Sequence, residues 1–167
     1  GNVQLAILSV IGLFLSGFLN ILLWFHTETT FFGMMTIDHY GIIFKTLVLL
    51  GSGLIVLMSA RYIESHGLKH GEFYSLIMFA TVGMLFLVSA NDMVMLFIGI
   101  ETIAISSYLL AGLNLKRFES EESAIKYFIL GAFSSGFLLY GIVLLYGVTG
   151  TTNFTEIAEF FKANPEF

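Results

Sequence analysis

Three ionisable side chains interrupt otherwise apolar stretches of this sequence: Lys45, Glu101 and Lys126. Glu101 is the most demanding. It lies nine residues beyond Asp92, which is about 14 Å along a helix. A charge at the centre of a bilayer costs at least about 2.5–3.5 kcal/mol, so Glu101 is predicted to face the protein interior or a hydrated cavity. Burial disfavours the charged form of a carboxyl, and a group balanced in this way suits a proton or ion relay. The alternative is a neutral Glu making a structural hydrogen bond between helices. Thr102 and Ser106 form an adjoining polar strip that could hold water beside it.

Lys126 is third in its apolar stretch. It can snorkel to the interface or pair with Glu122 one turn earlier. A lysine near a helix start opposes the helix dipole, so helix stability does not explain it, and structural and functional roles both stay open. Lys45 is five residues into its stretch, where snorkelling past Tyr40 and His39 suits it. The four His lie outside the apolar stretches. His66 and His70, with Glu64 and Glu72 nearby, have a metal-ligand spacing, but a solvated loop is the simpler reading. The chain contains no Cys, so it offers no thiolate nucleophile and no cysteine-ligated iron–sulfur cluster. No Gly-rich phosphate loop, nucleophile elbow or basic stripe is visible, and nucleic acid is not an expected partner.

The elements that must position these groups are long and apolar. Charged residues make up 11% of the chain and mean hydropathy is +0.90, against roughly 25% charged in soluble domains. Lipid is therefore the expected solvent for much of the surface. Five stretches, about 3–25, 41–60, 73–90, 92–113 and 124–148, are each near the ~20 residues needed to cross a bilayer. They do not alternate as barrel strands do. The fold class is thus all-α, a polytopic transmembrane bundle of about five spans in a single membrane domain. Between the spans, 26–40 reads as a loop with an apolar centre, 61–72 and 114–123 as polar loops, and Asn91-Asp92 as a tight helical hairpin. Asp92 is placed to cap the fourth helix.

Arg61, Lys69, Lys116 and Arg117 fall on one side, and only Lys162 on the other. The bias of Lys and Arg toward the cytoplasm puts the first residue on the cytoplasmic side. Beyond the fifth span, Asn153 followed by Glu156 suggests an N-cap. Phe154, Ile157, Ala158 and Phe161 then follow helical spacing. This predicts an amphipathic helix over about 153–163 lying at the membrane surface. Gly51-Ser52-Gly53, and the pairs Gly131/Ser135 and Ala132/Gly136, are read as helix-packing positions. The chain opens directly into a span with no signal peptide before it, and both ends read as cut from a longer chain.

The stretches Phe86-Leu-Val-Ser-Ala-Asn-Asp92, Leu96-Phe-Ile-Gly-Ile-Glu-Thr102 and Ser107-Tyr-Leu-Leu-Ala-Gly112 resemble the antiporter-like membrane subunits of respiratory complex I. Glu121-Glu-Ser-Ala-Ile-Lys-Tyr-Phe-Ile-Leu-Gly-Ala-Phe-Ser-Ser-Gly-Phe-Leu-Leu-Tyr-Gly141 and Leu144-Leu-Tyr-Gly-Val-Thr-Gly150 narrow the resemblance to the N-subunit family of NADH–quinone oxidoreductase, whose mitochondrial homologue is subunit 2. The resemblance is specific over about residues 73–150, with Asp38 and Lys45 placed as in that family. It implies a larger fold of about fourteen helices in two inverted repeats, of which this chain holds the second to sixth. Glu101 matches a carboxylate of the family's proton path, and Lys126 a lysine at the start of the next helix. The family's central lysines lie on later helices outside this chain.

The implied function is proton translocation, coupled to quinone reduction elsewhere, through a buried Glu/Lys path in which Glu101 is partnered by a lysine, Lys126. The implied setting is a bacterial inner membrane. The implied partners are the other membrane subunits and the lipid bilayer. No cofactor is expected in this chain; NADH, flavin, iron–sulfur clusters and quinone belong to partner subunits. A cation/proton antiporter subunit of the same superfamily and a packing or assembly subunit without conduction are the alternatives.

Overall fold

The computed structural model describes residues 2–66 and 70–166. Its elements are α1 (Asn2–Leu22), a short 3-10 turn (Leu23–Phe25), strands β1 (Glu28–Thr30) and β2 (Met35–Ile37), then α2 (His39–His66), α3 (His70–Ser89), α4 (Met93–Ala111), α5 (Phe118–Thr149) and α6 (Phe154–Ala163). Among the described residues, five helices are long and apolar enough to cross a membrane: Gln4–Phe25, His39–Ile63, Gly71–Ser89, Met93–Ala111 and Phe118–Thr149. The chain is an all-α integral membrane protein.

Several boundaries differ from the sequence reading, each for a physical reason. The second helix runs on to His66, through part of the expected polar loop. No Gly or Pro interrupts it between Gly53 and His66. The fifth begins at Phe118, with Glu119 and Glu121 in its first turn, where acidic groups favour the positive end of the helix dipole. The expected loop at 26–40 contains an antiparallel hairpin pairing Glu28 with Ile37, Thr29 with Thr36 and Thr30 with Met35. Thr and Ile suit a pleated strand. Phe31, Phe32 and Gly33 turn the chain with φ of 50°, 55° and 85°. Backbone bonds from Gly33 to Thr30 at 3.2 Å and from Met34 to Phe31 at 3.1 Å close this left-handed turn. His66, His70 and Lys69 lie outside the residues whose side chains are described.

The helices pack by two means. Ala6, Leu13, Leu49, Val56, Ile63 and Tyr74 bury a core among α1, α2 and α3. Polar groups join the same helices. Asn20 donates to the Ile42 carbonyl at 2.9 Å and to the Thr46 hydroxyl at 3.0 Å. The buried Ser52 and Thr81 hydroxyls lie 2.9 Å apart. Against α4, α3 approaches backbone to backbone. A Cβ at Gly83 would sit 2.9 Å from the Gly99 carbonyl oxygen and from the Ile103 nitrogen. One at Gly99 would sit 2.9 Å from the Leu87 nitrogen. Small residues permit this approach. Of the packing glycines expected from sequence, Gly131 meets α4, whereas Gly51, Gly53 and Gly136 have nothing within 4 Å of an added Cβ.

On one side of the bundle, three connections are tied together. The Gly33 carbonyl accepts from the side-chain amides of Asn91 at 3.0 Å and Asn153 at 3.2 Å. Asn91 links onward through its backbone, donating to Met34 and accepting from Phe154. The Thr152 hydroxyl donates to Asp92 Oδ2 at 2.6 Å, while Asp92 Oδ1 caps α4 by accepting from the Val94 amide at 2.8 Å. The Asn153 side chain caps α6, accepting from the Thr155 and Glu156 amides. Glu156 does not close the reciprocal half of a capping box; it accepts from the Thr151 hydroxyl instead. The helix ends at Ala163, just before Asn164-Pro165.

The Gly83 contact yields a contrast. Gly83→Val overpacks a backbone crossing and is expected to cost about 1–3 kcal/mol. Gly51→Ala adds a methyl to open space and is expected to change little. Thermal melting of the full-length protein in detergent measures both.

Candidate functional site

The face of α4 turned toward α5 carries Glu101, Tyr108 and Gly112. Positions seven apart on a helix return to nearly the same direction, about 10 Å further along. Each of these residues has a counterpart on antiparallel α5. The Ser135 hydroxyl donates to Glu101 Oε1. Tyr108 fills the space left by Gly131, where a Cβ would overlap its hydroxyl at 1.7 Å. A Cβ at Gly112 would lie 2.8 Å from that of Ala124, so the helices are close at that end too.

Glu101 is half-buried, and its partner comes from the neighbouring helix. The polar strip expected beside it does not supply that partner. Thr102 donates to the Ile98 carbonyl at 2.7 Å and Ser106 to the Thr102 carbonyl at 2.8 Å. Hydroxyls within a helix readily bond back to the preceding turn, so both protons stay on α4. A carboxyl held by one hydroxyl donor keeps its second oxygen free to accept a proton or a water.

Lys126 stands elsewhere. Its Nζ is 2.5 Å from Glu122 Oε1, and the two side chains are 74% and 45% exposed. Such an exposed i, i+4 pair is worth about 0.3–0.5 kcal/mol. Nine residues separate Lys126 from Ser135, about 14 Å along α5. The structure therefore gives Glu101 and Lys126 separate partners, Ser135 and Glu122. Lys45 is half-buried on α2, which packs chiefly on α1 and α3. It lies two turns beyond Asp38, whose Oδ1 accepts from the Gly41 amide at 2.6 Å. It is not part of the α4–α5 site. Among the described residues, no group of three or more His, Asp or Glu could hold a metal.

Two participants escaped the sequence reading. Ser135 figured there only as a small packing residue, and Tyr108 only as part of a motif. Gly131, one turn before Ser135, is the signal for both: a notch on α5 accepts an aromatic side chain from α4 and lets the helices close. Tyr108 is 8% exposed. Its ring is edge-on to those of Tyr127 and Phe128, with centroids 4.8 and 5.8 Å away.

The chain is similar to known membrane proteins. Residues 90–167 match the family described as NADH:quinone oxidoreductase/Mrp antiporter, transmembrane. The chain is 46% identical over 154 residues to NADH-quinone oxidoreductase subunit N of Trichlorobacter lovleyi, covering 92% of this chain and 32% of that protein. It is 45% identical over 151 residues to subunit N 1 of Herpetosiphon aurantiacus, covering 90% of this chain and 31% of that protein. Among solved structures, a chain of respiratory complex I from Thermus thermophilus with bound aureothin superposes with a TM-score of 0.75 at 29% identity, covering 91% of this chain and 33% of that one. The chain spans about a third of the length of the curated relatives it matches.

The two pairs should respond differently to truncation. Ser135→Ala leaves a half-buried carboxyl without its donor and is expected to cost about 1–3 kcal/mol. Lys126→Ala breaks an exposed pair and is expected to cost under about 1 kcal/mol. Denaturation of the full-length protein in detergent distinguishes them.

Proposed function

Because the chain is homologous over nine-tenths of its length to N subunits of NADH-quinone oxidoreductase, we propose that it is part of a proton-translocating membrane subunit of such an enzyme. The observation that carries this reading is Glu101, a carboxyl inside a membrane-spanning helix, hydrogen-bonded across the interface to Ser135. A carboxyl at this depth is expensive to retain unless it has work to do. A carboxyl can take up or give up a proton as the charge around it changes. A rearrangement elsewhere in the complex that moves that charge would load or unload the proton.

Lys126, nearer the 114–123 loop, takes part in this reading as an entry group for protons rather than as a direct partner of Glu101. Its ion pair with Glu122 is exposed and can open at little cost. NADH oxidation and quinone reduction, with their flavin and iron–sulfur clusters, are assigned to partner subunits. The membrane is the bacterial plasma membrane. The distribution of Arg61, Lys116 and Arg117 supports a cytoplasmic position for the loops between α2 and α3 and between α4 and α5. The first residue then lies on that same cytoplasmic side.

A second reading, cation/proton antiport without NADH, is favoured by the family's description, which includes Mrp antiporters. The test is NADH-driven proton pumping in membrane vesicles carrying Glu101→Gln in the full-length subunit, with assembly verified. The expected result is loss of this subunit's share of pumping at normal assembly. Wild-type pumping per NADH oxidised would return Glu101 to a structural role. Sodium-dependent transport without NADH would favour the antiporter.

A further inference from the structure

Tyr108 joins the Glu101 site to the loop side of the membrane. Its ring is almost wholly buried between α4 and α5, yet its hydroxyl has no hydrogen-bond partner among the described residues. The ring is buried but the hydroxyl keeps accessible surface, so it can take a water as its partner. The hydroxyl lies at Gly131, one turn from Ser135. Four residues rise about 6 Å, and two hydrogen bonds of about 2.8 Å through a single water span that gap. Aromatic side chains on a helix lean toward its N-terminus, which carries the Tyr108 hydroxyl back toward Glu101. On the other side of Tyr108, Tyr127 stands next in sequence to Lys126 and holds the ring edge-on.

We propose that the Tyr108 hydroxyl is a proton relay between the loop side of the membrane and the Glu101–Ser135 pair, and that Gly131 is small because the relay must pass there. This rests on the translocation reading above. In the step, the Tyr108 oxygen accepts a proton from a hydronium ion on the loop side, which is left as water, as its own proton passes to the bridging water. That water gives a proton to the Glu101 carboxylate. The O–H bonds formed equal those broken, and no other reactant is consumed.

The test compares Tyr108→Phe with Glu101→Gln in the assembled complex, reading protons pumped per NADH oxidised. Phenylalanine keeps the ring and its edge contacts and removes only the hydroxyl. The expected result is a loss in Tyr108→Phe equal to that in Glu101→Gln, with normal assembly. A second readout replaces Tyr108 by fluorotyrosine, whose phenol is more acidic. The alkaline limb of the pumping profile should then move to lower pH, which a purely packing role would not do. Wild-type pumping in Tyr108→Phe beside a loss in Glu101→Gln overturns the relay and leaves the translocation reading standing. Wild-type pumping in both removes that reading and the relay with it. If Tyr108→Phe fails to assemble, an unshifted profile with fluorotyrosine overturns the relay.

Discussion

The contact between Glu101 and Ser135 sets the terms for the α4–α5 half of the structure. A carboxyl inside a spanning helix cannot face lipid, because no solvent there would accept its charge or its proton. It needs a neighbouring helix at a fixed register, presenting a donor at its own level. α5 meets that need with one hydroxyl. It meets α4 along a single face, while Phe133, Phe137 and Tyr140 are exposed on the remainder.

Holding that register takes support from both sides of α4. On its other side the helix is fixed by the Gly83–Gly99 crossing, where two backbones touch and neither can slide without collision. At its start it is fixed by Asp92, which caps it and accepts from Thr152. The same cluster ties the β-hairpin to the start of α6 through the Gly33 carbonyl. Backbone polar groups in the connections are thus satisfied within the protein, and the apolar spans are left to pack. The helix bearing the ionisable group is fixed on two sides and at its start, and the helix facing it is the more loosely covered.

Much of this was legible in the residues. The five spans follow from hydropathy and length, and the Asp92 and Asn153 caps from the oxygen-bearing side chains just before helical runs. Glu101 stands out because it alone places a carboxylate deep in a span. The hairpin was not legible, because its turn is Phe31-Phe32-Gly33 rather than the usual Asn-Gly or Asp-Gly. Nor was the partner of Glu101. Thr102 and Ser106 are nearer in sequence and equally polar, but a helix offers its own carbonyls to such hydroxyls first. Ser135 is 34 residues away, and its role depends on interhelical register, which periodicity along one helix does not encode. The pairing of Lys126 with Glu101 that the resemblance implied is not the one seen: Glu101 bonds Ser135, which lies about 14 Å from Lys126 along α5.

The claim on which this account turns is that Glu101 changes its protonation during turnover. Infrared difference spectroscopy on the assembled complex, comparing the resting state with the state after NADH addition, reads this directly in the carboxyl stretch. The account predicts a carboxyl band in the wild-type difference spectrum that is missing in Glu101→Gln and shifted in Ser135→Ala, where the hydrogen bond to the group is gone. Identical difference spectra in wild type and Glu101→Gln would show that Glu101 keeps one protonation state throughout, and would contradict it.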